Sequence, residues 1–220
     1  MENKRALFAE EMDRVRHNIL AMSSLVEEGL GKALAALQDN DTELAKTVRE
    51  GDAAVNSMQL QIEDAVVTLI ATQQPVARDL REFFTMLKIT VNLERAGDHA
   101  VHLAKTAIKL SGRASFRAME HLSRMARTGQ EMIRAAISAY LKQDPEAARK
   151  AAALDDIIDG EHRKLSREML RLMKGSPGLL KKALRFLLTS GDLERLGDHI
   201  TNICEAIIYM TESKHEELNE

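Results

Sequence analysis

The residues best suited to chemistry in this chain come as acids four apart. Glu94 and Asp98 lie within LERAGDH at 93–99, and Glu194 and Asp198 lie within LERLGDH at 193–199. On a helix that spacing stacks both carboxylates on one face, with about 5–6 Å between Cβ atoms. Like charges so placed repel, and the pair therefore predicts a cation beside it. Two more oxygen-bearing pairs share the spacing, Asp52 with Asn56 and Asp155 with Asp159. Each of these precedes a proline, Pro75 or Pro177, by roughly twenty residues, and the Glu–Asp pair follows that proline at a similar distance. An antiparallel hairpin turning at the proline brings the two pairs of a half to one level. Four hard oxygen side chains on facing helices then make a metal cradle in each half. Such donors select iron, manganese, magnesium or calcium, with zinc and nickel as further occupants.

Glycines at Gly97 and Gly197 interrupt the two motifs. A glycine inside a helix costs about 1 kcal/mol relative to alanine, so each predicts a close approach by another group. The competing reading is a tight helix crossing in which Arg95 and Arg195 neutralise the acids, or water does. His99 and His199 follow the aspartates and stand about 100° further round the helix, at the edge of the site or bonded to a neighbour. His102 lies one turn beyond Asp98, but Asn202 takes its place in the other half. All three rank below the carboxylates as ligands. RDLRE at 78–82 and KKALR at 181–185 give corresponding helices basic first turns, through Arg78, Arg81, Lys181, Lys182 and Arg185. Most such charges are solvated surface; as a pair they are the candidate partner-docking residues.

The elements that position these groups read as helices. Phe8, Met12, Val15, Ile19, Met22, Val26, Leu30, Leu34 and Leu37 recur at steps of three and four. QDND at 38–41 ends that helix, and Asp41 with Glu43 caps the next, which runs to QQP at 73–75. A third helix extends from about Val76 to Leu110, closed by SGR at 111–113. The pattern then restarts at Phe116, stops at KQDP, resumes through Leu154 to Met173, turns at GSPG, and finishes in a helix through Ile207. Asp52 corresponds to Asp155 and Glu94 to Glu194, so the chain is a tandem duplication. The fold expected is all-α: two three-helix bundles, six long helices in total, over residues 1–112 and 113–220.

Composition narrows the classes. Of 220 residues, 45% are hydrophobic and 30% charged, but only 3% are aromatic, the profile of a long-helix protein. A formal net charge of −3 provides no global basic field for nucleic acid. Cys204 is the one cysteine, which excludes an intrachain disulfide and points to a reducing, cytoplasmic setting. The N-terminal stretch interleaves acids and bases unlike a signal peptide, and no apolar run reaches the roughly 18 residues of a membrane span.

QQPVARDLR at 73–81, LERAGDHA at 93–100, DLERLGDHITNI at 192–203 and the run Asp52–Asn56, on a duplicated three-helix layout, resemble the PhoU family of bacterial phosphate-transport regulators. The resemblance implies non-enzymatic cytoplasmic proteins that hold iron or zinc at E/D-x-x-x-D motifs. Here those motifs fall on Glu94, Asp98, Glu194, Asp198, Asp155 and Asp159, with Asp52 and Asn56 as the fourth pair. Asn56 departs from a carboxylate and lowers the charge of the first site. The resemblance also implies partners: the ATPase subunit of a phosphate ABC transporter and a phosphate-sensing histidine kinase, with the membrane reached only through them. A homodimer is expected. When phosphate is plentiful, such proteins restrain uptake and the starvation response. Two readings compete, a metal-free helical adaptor and a carboxylate-bridged metal enzyme. Di-iron oxidases use Glu-x-x-His pairs, which neither motif copy contains.

Overall fold

A computed structural model describes residues 2–109 and 116–219, nearly all of them helical. The first half contains α1 (Glu2–Asp39), α2 (Thr42–Gln73) and α3 (Ala77–Lys109). The turn into α2 uses the chemistry read from the sequence. Asp41 accepts a hydrogen bond from the Leu44 amide at 2.9 Å, capping α2. Gln74 takes a left-handed conformation that closes α2, with its amide donating to the Ile70 carbonyl.

The second half contains α4 (Phe116–Lys142), α5 (Pro145–Ala152), α6 (Asp155–Gly175) and α7 (Leu180–Glu212), with a short 3-10 turn at Pro177–Leu179. Asp144 caps α5 through the Ala147 amide, and Pro145 fills the first helical position, where its missing N–H costs nothing. Ala153 and Leu154 form a turn between α5 and α6, so the middle helix of this half is interrupted where that of the first half is continuous. The break falls immediately before Asp155. Residues 110–115, which carry SGR and the boundary expected between 112 and 113, lie outside the described residues.

In each half the helices pack against one another, and the halves meet along α3 with α7 and α1 with α4. One continuous apolar cluster draws on both, from Met12, Ile19 and Leu30 through Phe83, Leu93 and Leu103 to Leu122, Ile158, Phe186 and Ile203. The two three-helix units thus share a core. α3 and α7 run antiparallel: Thr85 donates to the Ala206 carbonyl, Asn92 meets His199, His102 meets Asp192, Thr106 meets Thr189, and Arg185 reaches the Lys109 carbonyl. Residues offset by one hundred exchange places across this pair, an internal pseudo-twofold relation.

Antiparallel packing changes one expectation. The first turns of α3 and α7 lie at opposite ends of the pair, so Arg78 and Arg81 do not share a surface with Lys181, Lys182 and Arg185. Arg78 instead donates to Gln143 at 3.4 Å, and Arg81 has its Nε buried.

Candidate metal centres

The second half places Asp155 and Asp159 on α6 facing Glu194 and Asp198 on α7, around an open cavity of about 790 Å³. Asp155, partly buried, is one of the residues that line it. Its Oδ1 is buried without a hydrogen-bond partner, and Oδ2 receives only a long 3.5 Å bond from the Thr201 hydroxyl. Burial, then repulsion from Asp159, Asp198 and Glu194, pushes the Asp155 carboxyl up to about 7. Burial and neighbouring acids raise Glu194 and Asp198 as well. Gly197 explains how Asp155 fits. A Cβ built there would stand 2.0 Å from Asp155 Oδ1 and 3.0 Å from its Cγ, so only glycine leaves that carboxylate its place. Arg163 pairs with Asp159 at 3.2 Å, and Asn219 of the returning C-terminal segment donates to Asp198 at 3.3 Å.

The first half is arranged more loosely. Asp52 and Glu94 both have raised carboxyls, chiefly from burial and then from Asp98, which brings α2 and α3 acids into one electrostatic group. Arg95 lies 3.5 Å from Glu94 and 3.6 Å from Asp98, the neutralising role anticipated for it. Arg195 differs, since its ion pair is with Asp192 at 3.7 Å. Asn56 is exposed, with its amide 3.5 Å from Asp52. The close approach expected at Gly97 is absent: an added Cβ would make ordinary contacts with Val55 at 3.5 Å and Val26 at 3.7 Å, beside a cavity of about 90 Å³.

Sequence reasoning passed over four participants. Glu63 contributes to the potential at Glu94 and accepts from Gln59 at 2.9 Å. Its signal was available, because Asp52, Asn56, Gln59 and Glu63 follow steps of four, three and four along one face of α2. His162, the counterpart of Gln59, faces Glu194 and bonds Ser190 at 3.0 Å. Asn219 had no local signal, being distant in sequence from every acid it meets. Asp192 is the fourth: with His99 and His102 it is the one set of three His, Cys, Asp or Glu side chains, among the described residues, whose donor atoms lie within 4.8 Å of one another. Both carboxylate sets are more open than that.

The donor chemistry fits a hard cation, most clearly in the second half. An orphaned carboxylate oxygen, one further acid on its own helix, two on the facing helix and a glycine that makes room for the buried one suit an oxygen-ligated ion. Asp155, Asp159, Glu194 and Asp198 would hold it, with Asp52, Asn56, Glu94 and Asp98 as the weaker counterpart.

Fold and site together define a class: a duplicated, all-α bundle with a cluster of facing carboxylates in each repeat. The chain belongs to the PhoU family, with PhoU domains matched at residues 19–107 and 122–207. It is 33% identical over 217 residues to the phosphate-specific transport system accessory protein PhoU homolog of Clostridium acetobutylicum, covering 98% of this chain and 99% of that one. To the accessory protein PhoU of Escherichia coli it is 31% identical, covering 92% and 84%. The crystal structure of PhoU from Pseudomonas aeruginosa superposes with a TM-score of 0.90 at 34% identity, over 94% of this chain and all of that one. The phosphate transport system regulatory protein PhoU from Streptococcus pneumoniae gives 0.88 at 30% identity, over 96% and 99%. These relatives are named as accessory and regulatory proteins, not as enzymes, in keeping with the non-enzymatic reading. No helix among the described residues is long and apolar enough to cross a membrane.

Proposed function

We propose that this protein is a cytoplasmic negative regulator of phosphate uptake and of the phosphate-starvation response, a non-enzymatic adaptor between the phosphate transporter's ATPase subunit and a sensor histidine kinase. The names of its relatives support the phosphate-transport role. The observation that carries the metal part is Asp155, with Oδ1 unpartnered beneath Gly197 and three acids around it. A bound cation, iron or zinc in first rank, would add to the positive charge that Arg163 and Arg195 bring to these acids. The chain's own residues do the rest. Asp155 and Asp159 present the α6 side, Glu194 and Asp198 the α7 side, and the rigid helices keep the outer faces in register for partners. The basic turns, Arg78 with Arg81 and Lys181 with Lys182 and Arg185, then serve two separate docking surfaces rather than one.

Arg95, lying against both Glu94 and Asp98, favours a second reading for the first half, in which charge is balanced internally and the adaptor works there without metal.

Elemental analysis of untagged protein, wild type against Glu94→Ala/Asp98→Ala and Glu194→Ala/Asp198→Ala, tests the proposal alongside binding to the transporter ATPase. Stoichiometric metal that falls in the variants, most in the second, is the expected result. Folded, metal-free wild type that still binds the ATPase would establish the metal-free adaptor. If wild type restores repression of a phosphate-starvation reporter in cells lacking the regulator, the function holds; failure to do so removes it.

A further inference from the structure

A different donor set lies where the two halves meet. His99 and His102 project from α3, and Asp192 from α7. Asp192 Oδ1 is 3.2 Å from His102 Nδ1 and 3.5 Å from His99 Nδ1. In a tetrahedral zinc site, with metal–ligand bonds of about 2.0–2.1 Å, neighbouring donors stand about 3.3 Å apart. Both separations match that edge. His99 is only 9% exposed, and its buried Nδ1 makes no well-formed hydrogen bond, having only the 3.5 Å contact with Asp192. A buried ring nitrogen left with so long a contact is uncommon, because an unmade bond costs the full desolvation of the group. The competing cation at Asp192 is Arg195, further away at 3.7 Å and on an exposed side chain.

The pseudo-twofold relation supplies an internal control. Across the axis, the equivalents of Asp192, His99 and His102 are Asn92, His199 and Asn202. His199 is satisfied there by Asn92, at 3.0 Å from its Nδ1. The rings of His99 and His199 stack at 5.6 Å between centroids, so the two arrangements sit back to back. One side of the crossing thus carries a carboxylate and two imidazoles, while the other carries two neutral amides and one satisfied imidazole. Packing alone does not demand the difference, since both sides occupy the same helix pair.

We propose that His99, His102 and Asp192 bind a borderline divalent transition ion of the zinc type, at a site separate from the carboxylate clusters and bridging the two halves. Two imidazoles and a carboxylate suit zinc rather than magnesium or calcium, which prefer oxygen throughout. His102 is exposed, so the remaining coordination position opens to solvent. The site joins α3 to α7, and an ion there ties one repeat to the other, in contrast to the acidic clusters, which each lie within one repeat.

The test is zinc titration of chelator-treated, full-length, 15N-labelled protein, following the histidine ring nitrogens. Asp192→Asn and His102→Asn install the residues that already stand at Asn92 and Asn202, so the crossing accommodates them; circular dichroism verifies their folding. Zinc is expected to shift the His99 and His102 rings in wild type, in Glu94→Ala/Asp98→Ala and in Glu194→Ala/Asp198→Ala, with the response lost in Asp192→Asn and His102→Asn. The exposed His17, bonded to the Asp13 carbonyl, serves as the reference that stays put. Rings unmoved by zinc in wild type, or moved equally in both asparagine variants, would overturn the site and leave Asp192 as an ordinary partner of two histidines. Because the Glu94/Asp98 and Glu194/Asp198 variants both keep the histidine site, failure here is distinct from failure of the carboxylate reading.

Discussion

Replacing each motif glycine by alanine adds the same methyl group to equivalent helices, yet only the change in the first repeat is expected to stabilise. At Gly97 the new Cβ meets Val55 and Val26 at 3.5 and 3.7 Å, ordinary contact distances, and borders a small cavity. The helix gains about 1 kcal/mol from removing glycine, and burying the methyl adds a further fraction. Gly97→Ala should therefore stabilise by about 1 kcal/mol, or about 2–4 °C in Tm for a chain of this size. At Gly197 the Cβ would stand 2.0 Å from Asp155 Oδ1 and 3.2 Å from Ile158 Cδ1. Either the carboxylate swings out or the helices part, an overpacking cost of about 1–3 kcal/mol that cancels or exceeds the same helical gain. Gly197→Ala is thus expected to be neutral to about 2 kcal/mol destabilising, and to lose metal from the second half. Urea and thermal unfolding of the two variants, with elemental analysis of each, provide the readout. Equal stabilisation by both, with metal content unchanged, would refute the account of Gly197 as the space that admits Asp155.

Asp155→Asn removes a charge facing Asp159, Asp198 and Glu194; in chelator it should stabilise the protein by about 1–2 kcal/mol after solvent screening, while abolishing metal uptake in the second half, as calorimetry would record. Glu161 is buried, and burial alone would raise its carboxyl, but hydrogen bonds from Lys164 at 2.8 Å and His121 at 2.5 Å outweigh that and hold it below the ordinary value. A lowered folded pKa means its contribution is complete above about pH 4.3, the unfolded value, and is lost as pH falls through the folded one. Glu161→Gln should cost about 1–3 kcal/mol at neutral pH and flatten the acid limb of a stability–pH curve measured in urea; a limb as steep as wild type would contradict this. Thr85→Val deletes the buried hydroxyl that donates to the Ala206 carbonyl at 3.0 Å between α3 and α7, with an expected loss of about 1 kcal/mol in the same melts.

Much of the fold was written in short-range chemistry. Apolar steps of three and four placed the long helices, and Asp41 marked one start through a cap that the structure contains, whereas KQDP was read only as a stop and the Asp144 cap of α5 went unread. The turn at Ala153 and Leu154 left no such mark, because the surrounding AAALDD has neither glycine nor proline to announce a break. The carboxylates were legible as i,i+4 pairs, and the hairpin argument placed them on facing helices of one half. What connects the halves was not. Asp192 meets His102 across 90 positions, and the antiparallel sense of α3 and α7 is set by packing rather than by any turn between them. For the same reason, no local pattern separated Gly97 from Gly197. The distinction lies in where Asp155 points, just after the one helix interruption that the second half has and the first lacks.

Internal pseudo-symmetry around α3 and α7 also bears on how such a molecule can change. Were a single repeat to pair with its own copy, the interface would be isologous, and every substitution would be made twice, once on each side of the axis. Asn92 could not become aspartate without creating two negative charges, nor could residue 102 alternate between histidine and asparagine. Joining the repeats in one chain lifts that constraint. Each contact still occurs in two versions, but the versions mutate independently, and at 92/192 and 102/202 they have done so. The crossing thus behaves as a symmetric frame with asymmetric fittings, in which one face can acquire new chemistry while the opposite face preserves the packing.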